Sequence, residues 1–206
     1  MTSAGPQRDT ISIPSVPIEL SDELPTQLIP LAWLVGTWAG AGVVGYPDME
    51  DVRFGQEVIF SHDDRAFLFY RSQTWLLDDL GNQVRPLASE TGFWRVPSAP
   101  IGHADDAPGT AGGADQGGGG ESEPPSTELE VLLTHPTGYV EIYLGTVRGP
   151  RVDLATDLVA RTSTAKEYTA ATRMYGLVEG DLLWVMDMAA MGHPLQSHVS
   201  ARLKRV

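Results

Sequence analysis

The chain has 206 residues, 14 basic and 27 acidic side chains and a net charge of −13, which fits one domain with tails and argues against nucleic acid or an anionic membrane surface as a partner. The absence of cysteine excludes disulfides, thiol catalysis, iron–sulfur clusters and zinc ribbons. Because no apolar run approaches the length of a membrane span and the first residues form no secretion signal, we expect a cytoplasmic protein.

The N-terminal part predicts a tail followed by a short helix. Residues 1–20 are rich in Ser, Pro and Thr without a hydrophobic period, so we expect a disordered tail before a domain over 21–206. Ser21 and Pro25 are typical of a helix start. The apolar residues that follow at helical spacing are Leu24, Leu28, Leu31 and Leu34. Pro30 limits the helix to a short or broken one, which we expect to cover the end of a barrel.

A glycine-rich strand comes next. Gly36, Gly40 and Gly42 fall on one face of this strand, and Trp38 shares that face. Since glycine has no side chain to pack, another group must approach the face, and the sequence leaves two candidates open: a neighbouring strand at a barrel corner or the flat face of a ligand. A phosphate cradle is excluded because no Lys, Ser or Thr follows at P-loop spacing.

The remainder of the chain predicts strands joined by hairpin turns. The ten predicted strands are 36–42, 52–61, 66–74, 90–96, 128–134, Tyr139–Arg148, 151–156, Tyr168–Val178, 181–188 and 198–206. Residues 98–127 are rich in Gly, Ala, Asp and Pro, which predicts a disordered insert within one hairpin. The pattern indicates an all-β fold, either a sandwich or an antiparallel up-and-down barrel of about ten strands. The barrel is favoured because closure removes exposed edges.

The glycine-rich strand carries a resemblance to a known family. Gly36-x-Trp38-x-Gly40-x-Gly42 resembles the GxWxGxG signature of the nitrobindins, small haem-binding β-barrels shaped like fatty-acid-binding proteins. The similarity continues through Tyr46-Pro47, 90–93, 134–136 and 164–167, and ends at Gly192-x-Pro194-Leu195-Gln196-x-His198. It covers roughly residues 31–206 apart from the insert.

The resemblance implies haem b at the barrel mouth, held without a covalent link because the chain has no cysteine. It maps the proximal iron ligand and catalytic centre onto His198, with His193 ranking second. Lys166 falls near the family's pocket, where a cation can meet a haem propionate, although a solvated rim charge is the alternative. The remaining cofactor-binding positions implied by the signature are Gly36, Trp38, Gly40 and Gly42. Asp48 stands where many relatives carry Thr, which leaves the polarity of the haem surroundings open.

The implied activity is the isomerisation of peroxynitrite to nitrate at a ferric haem, together with nitric oxide binding. Partners would then be these small molecules, with no nucleic acid or membrane partner and a homodimer as a possible assembly. A second hypothesis is a non-enzymatic carrier of an apolar ligand such as a fatty acid, since the same barrel shape holds lipids. A zinc site at His193 and His198 is weaker, because a third ligand is missing from the same element.

Strand parity conflicts with an inward His198. In a regular strand it shares a face with Ser200, Arg202 and Lys204, which predicts an outward ring. Either regular pairing starts after His198 or a bulge shifts the register.

Two further groups of residues are candidates for the haem surroundings. Leu182, Trp184, Met186 and Met188 share a face that can line a haem, although plain barrel core is the favoured interpretation. His62 and His135 are the candidates for a distal acid–base group. The His-Pro turn predicts instead that His135 lies on the surface.

Overall fold

Ten antiparallel strands close into a barrel in the computed structural model, which describes residues 24–47, 49–97 and 126–206. Each strand pairs with its neighbours in the chain, and the last pairs with the first, so the sheet has no free edge. This confirms the predicted up-and-down barrel. The strands are β1 Gly36–Tyr46, β2 Met49–Ser61, β3 Leu68–Leu77, β4 Gln83–Arg95, β5 Ser126–His135, β6 Tyr139–Arg148, β7 Arg151–Arg161, β8 Tyr168–Val178, β9 Asp181–Ala190 and β10 Gln196–Arg205.

Some sequence predictions fall on residues outside the described ranges. These are the disordered tail over 1–20, the helix start at Ser21 and the departure at Asp48. Most of the predicted insert over 98–127 is also outside. Its last two residues belong to β5, which begins at Ser126.

A 3₁₀-helix over Thr26–Leu34 packs across the end of the barrel at which β1 begins. Pro30 lies inside this helix, and a proline without an N–H is compatible with a short 3₁₀ segment. Its fully buried side chains are Leu28, Leu31 and Leu34. The indole of Trp38 donates to the Leu34 carbonyl at 2.7 Å and so ties the helix to β1. No helix in the described ranges is long and apolar enough to cross a membrane.

β4 and β7 extend beyond their predicted bounds by stretches that contain no buried side chain. β4 begins at Gln83 and contains Pro86, and its residues 83–88 are exposed. This part pairs with β3, whereas the ladder between β4 and β5 covers Thr91–Arg95, so Pro86 sits where one side of the strand has no described ladder partner. β7 likewise continues to Arg161, while its ladder with β8 covers residues 151–155.

Large aromatic side chains fill the barrel interior. The largest fully buried ones are Trp38, Trp94, Tyr143, Tyr175, Phe54 and Phe60. The Trp184 indole donates to Gln56 at 2.8 Å, and the Gln56 amide donates to Ser72 at 2.9 Å, so these buried polar groups are satisfied. Leu182, Trp184 and Met186 are also buried, and Met188 of the same face is partly buried against the core.

Register shifts mark the barrel end opposite the 3₁₀-helix, which we call the mouth. β1 shifts between Val44 and Tyr46, β8 between Tyr168 and Ala170, and β10 between Ser197 and Val199. Bulges at a barrel rim re-aim side chains that regular alternation would send elsewhere. The mouth is therefore where the backbone departs from the simple pattern.

Candidate functional site

His198 is the extra residue of a β-bulge. In the ladder with β9, Ser197 pairs with Asp187 and Val199 pairs with Met186, so no β9 residue is left opposite His198. Beyond the bulge the alternation is regular, with Ala201 buried on the inner face. Of the two alternatives left by strand parity, the structure shows the bulge, and the His198 ring is partly buried rather than directed into solvent.

The backbone fixes the tautomer of His198. Its Nδ1 lies 2.7 Å from the carbonyl oxygen of Gly45. Because a carbonyl only accepts, Nδ1 must carry the proton, and the Nε2 lone pair is then available to a metal. Gly45 itself lies at the register shift of β1, so the bond joins irregular positions on two adjacent strands.

Burial keeps this imidazole neutral. Desolvation lowers the pKa of His198 below its ordinary value, the hydrogen bond to Gly45 opposes that effect, and the positive charge of Arg173 adds to it. A neutral imidazole is the form that binds a metal ion.

A depression of about 400 Å³ adjoins the ring. Its lining residues are Val43, Gly45, Tyr46, Pro47, Asp51 and residues 196–200. This volume lies within the range of small-molecule pockets. His198 thus borders a depression that extends onto the outer face of the barrel, where Val43 pairs with Ser200.

Tyr46 links the two histidines of the mouth. Its ring lies 5.5 Å from the His193 ring and 5.5 Å from the His198 ring, edge-on to both. Sequence reasoning included Tyr46 only as part of the family resemblance. The signal that it is central to the site is its burial at the end of β1, where it is 4% exposed.

Lys166 lies at the same rim as His198. It is exposed in the turn between β7 and β8, and its carbonyl accepts a hydrogen bond from Arg161 at 3.0 Å. The next residue, Glu167, accepts from the Met191 N–H at 3.3 Å, which joins this turn to the β9–β10 turn. The position suits either predicted role, a partner for a propionate or a solvated charge.

The structure does not bring the GxWxGxG residues together with His198. Gly36 and Trp38 lie at the helix end of β1, whereas His198 lies at the mouth. A Cβ on Gly40 would meet the backbone of β10 at Arg202, and a Cβ on Gly42 would meet the Ser200 carbonyl. Of the two candidates for the approaching group, the neighbouring strand lies against Gly40 and Gly42, whereas a cofactor contact at Gly36, Trp38, Gly40 and Gly42 stays a prediction.

The prediction that His135 lies on the surface is wrong. Its side chain is 5% exposed, its Nε2–H donates to Glu141 at 2.6 Å and its ring stacks on Tyr139 at 4.1 Å. A carboxylate buried as deeply as Glu141 needs donors, and His135 supplies one. The other distal candidate, His62, follows β2 at the helix end of the barrel and is remote from the mouth.

Glu141 is the centre of a buried polar network that sequence reasoning missed. It also accepts hydrogen bonds from Tyr143 at 2.5 Å, from Tyr168, and from Arg173 at 3.3 Å. Burial raises the pKa of Glu141, but the charge of Arg173 and the His135 bond outweigh burial and lower the pKa to about 2.

The same guanidinium binds a second carboxylate. Arg173 donates to Glu90 at 2.7 and 3.2 Å, and its side chain is 1% exposed. Glu90 also accepts from Tyr70 at 3.1 Å. Two carboxylates therefore compensate the charge of this buried cation and occupy both terminal nitrogens of its guanidinium.

Comparisons with known proteins agree with the barrel fold. A family model described as "THAP4-like, heme-binding beta-barrel domain" matches residues 27–205. A ferric nitrobindin-like protein from Kineococcus radiotolerans is 53% identical over 191 residues, covering 92% of this chain and 98% of its own.

Two further relatives were compared. A peroxynitrite isomerase from Leifsonia xyli subsp. xyli is 45% identical over 199 residues, covering 91% and 98% of the two chains. The crystal structure of Rv2717c from M. tuberculosis superposes with a TM-score of 0.67 at 32% identity, covering 89% of this chain and 99% of that one. The chain therefore belongs to the nitrobindin family of THAP4-like haem-binding β-barrels.

Proposed function

We propose that this protein binds haem b at the barrel mouth through His198 and isomerises peroxynitrite to nitrate at the ferric haem, with nitric oxide as a further ligand. The observation that supports this best is the His198–Gly45 bond of 2.7 Å, which places the proton on Nδ1 and leaves the Nε2 lone pair of a partly buried ring available to iron. Relatives at 45% and 41% identity bear the name peroxynitrite isomerase.

A single imidazole suits a metal that brings other ligands of its own. Within residues 24–47, 49–97 and 126–206, no group of three His, Cys, Asp or Glu side chains could hold a metal ion. Haem iron needs only an axial ligand from the protein, whereas a zinc site at His193 and His198 needs further protein ligands. The donor set of the mouth therefore fits haem better than a bare ion.

Three residues of the mouth would contribute to cofactor binding in different ways. His198 would bind the iron through Nε2, and the Gly45 carbonyl holds the ring in one tautomer. Lys166 at the rim has the charge to pair with a propionate. When bound, ferric haem supplies the Lewis-acidic iron at which peroxynitrite rearranges.

The alternative function, a carrier of fatty acids, has less support. A fatty-acid site requires an apolar cavity and a cation for the carboxylate. Here aromatic side chains fill the interior, and Arg173 is already paired with Glu90 and Glu141. We therefore favour the haem enzyme.

Haem titration of purified variants tests the proposal. We expect a Soret band with one haem per chain, its loss in His198→Ala, and its retention in His62→Ala, the matched control at the far end of the barrel. Stopped-flow decay of peroxynitrite should accelerate with the haem-loaded parent and not with His198→Ala. Equal haem binding by parent and His198→Ala, or stoichiometric binding of a fluorescent fatty acid in place of haem, would contradict it.

A further inference from the structure

The Tyr46 side chain crosses beneath a neighbouring strand. In the barrel β10 lies between β1 and β9, yet the hydroxyl of Tyr46 on β1 reaches the backbone of β9. It accepts from the Ala190 N–H at 2.9 Å, and its own proton is directed at the Met188 and Ala190 carbonyls, each 3.1 Å away. The phenol therefore bridges two strands that do not pair with each other.

The part of β10 above this bridge is the bulge that contains His198. A bulged residue lacks the ladder bonds that hold its neighbours, so side-chain contacts must fix its orientation. The ring of Tyr46 meets the His198 ring edge-on, with centroids 5.5 Å apart and planes at 87°. One face of the imidazole is thus limited by Tyr46, and its Nδ1 is held by Gly45.

The Tyr46 hydroxyl and the β9 backbone groups that it binds are buried. Tyr46 and Ala190 are each 4% exposed, so the hydroxyl and the backbone groups it binds have little access to water. A buried donor that loses its partner is costly, which makes the bridged arrangement strongly preferred over one in which the phenol swings out. The ring that contacts His198 consequently has a fixed position.

We propose that Tyr46 is a positioning residue for His198: by tying β1 to the end of β9 beneath the bulge, it holds the imidazole in the orientation and tautomer that present Nε2 at the mouth. The role in cofactor affinity rests on the proposed function, whereas the role in ring orientation does not. Tyr46 itself makes no contact with the reacting atoms in this scheme.

Two substitutions separate the ring from the hydroxyl. Tyr46→Phe keeps the edge-on contact and removes the bridge, and Tyr46→Leu removes both. Tyr70→Phe is the matched control, since it removes another buried hydroxyl bond, 3.1 Å to Glu90, away from His198. The first readout is the ring-nitrogen NMR spectrum of His198 in the haem-free protein, which reports the tautomer. The second is the haem dissociation constant.

We expect the haem-free parent and Tyr70→Phe to show one His198 tautomer with the proton on Nδ1. Tyr46→Phe and, more strongly, Tyr46→Leu should show tautomer exchange, and haem should bind about 10-fold more weakly to Tyr46→Leu, as is usual for loss of a group that orients a metal ligand. An unchanged His198 spectrum in folded Tyr46→Leu would overturn the proposal. If His198→Ala binds haem like the parent, the proposed function fails, and the spectra of the haem-free variants still decide the role of Tyr46.

Discussion

The Nδ1 of His198 and the carbonyl oxygen of Gly45 lie 2.7 Å apart, and each residue sits at a register shift of its own strand. The orientation of the ring therefore depends on irregular backbone in both β1 and β10. A regular barrel with the same side chains would not place this imidazole at the mouth.

Removing the bulge should therefore remove the site. Deleting Ser197 shortens β10 by one residue and so removes the bulge, and regular alternation would then send the His198 ring to the outer face with Ser200. We expect a folded barrel by circular dichroism and no Soret band on haem addition. Ser197→Ala, which keeps the chain length, should bind haem normally. A Soret band in the deletion variant equal to that of the parent would show that the bulge is dispensable.

The pKa of His198 predicts how the haem-free protein responds to acid. Burial lowers this pKa below the ordinary 6.5, so below that pH the unfolded chain takes up the proton before the folded one does. The free energy of unfolding of the parent should therefore decrease as the pH falls from 7.5. That of His198→Gln should decrease less over the same range. Urea unfolding at pH 7.5 and 5.5 measures this difference, and an NMR titration giving a pKa of 6.5 or above would contradict it.

Replacing the buried Glu141 should cause a large loss of stability. Its pKa falls from 4.5 to about 2 on folding, so its contribution is complete above pH 4.5 and is lost as the pH falls toward 2. We expect Glu141→Gln to lower the free energy of unfolding by about 3 kcal/mol at pH 7, because Arg173 and His135 lose a buried partner. The difference in the free energy of unfolding between the parent and this variant should become smaller as the pH falls toward 2.

Glu130→Gln is the control for that measurement. Glu130 pairs with the exposed Arg95 at 2.6 Å, and an exposed pair of this kind contributes less than about 1 kcal/mol. Equal effects of the two substitutions in urea unfolding would argue that the Glu141 network does not stabilise the fold.

Adding a side chain at a glycine of the GxWxGxG signature should disturb the packing of β1 against its neighbours. A Cβ on Gly42 would meet the Ser200 carbonyl and lie 2.6 Å from the Phe54 ring, whereas a Cβ on Gly55 would lie 3.4 Å from a flexible Leu77 methyl. We expect Gly42→Ala to destabilise the haem-free protein by about 1–3 kcal/mol and Gly55→Ala to have a small effect in urea unfolding. Weakened haem binding by Gly42→Ala without loss of stability would instead indicate that the cofactor occupies this space.

The barrel was predictable because most strands alternate clearly and turn residues separate them. The early part of β4 was missed because its residues are exposed and include Pro86, so the period-two signal is absent. His198 was found through the family resemblance, while parity alone pointed it outward. Only the register with β9 shows the bulge that resolves this conflict.

The sequence contains one signal of the buried Glu141 network. Glu141 lies between Tyr139 and Tyr143 on the inward face of β6, and a charged residue on an aromatic face calls for a buried partner. The identity of that partner could not be predicted, because Arg173 lies on β8 and does not pair with β6 in the sheet. The surface prediction for His135 was wrong because the His-Pro turn alone gives no sign that Glu141, six residues further on, binds the ring in the interior.

The 3₁₀-helix over Thr26–Leu34 has a kinetic consequence. With its leucines buried at one end of the barrel, the helix covers that end, so a small molecule bound at the mouth as proposed would arrive and depart past His198 by the same route. A bulky substitution that obstructs this passage without touching the bound molecule should slow arrival and departure by equal factors. The equilibrium constant would then stay the same while both rate constants fall.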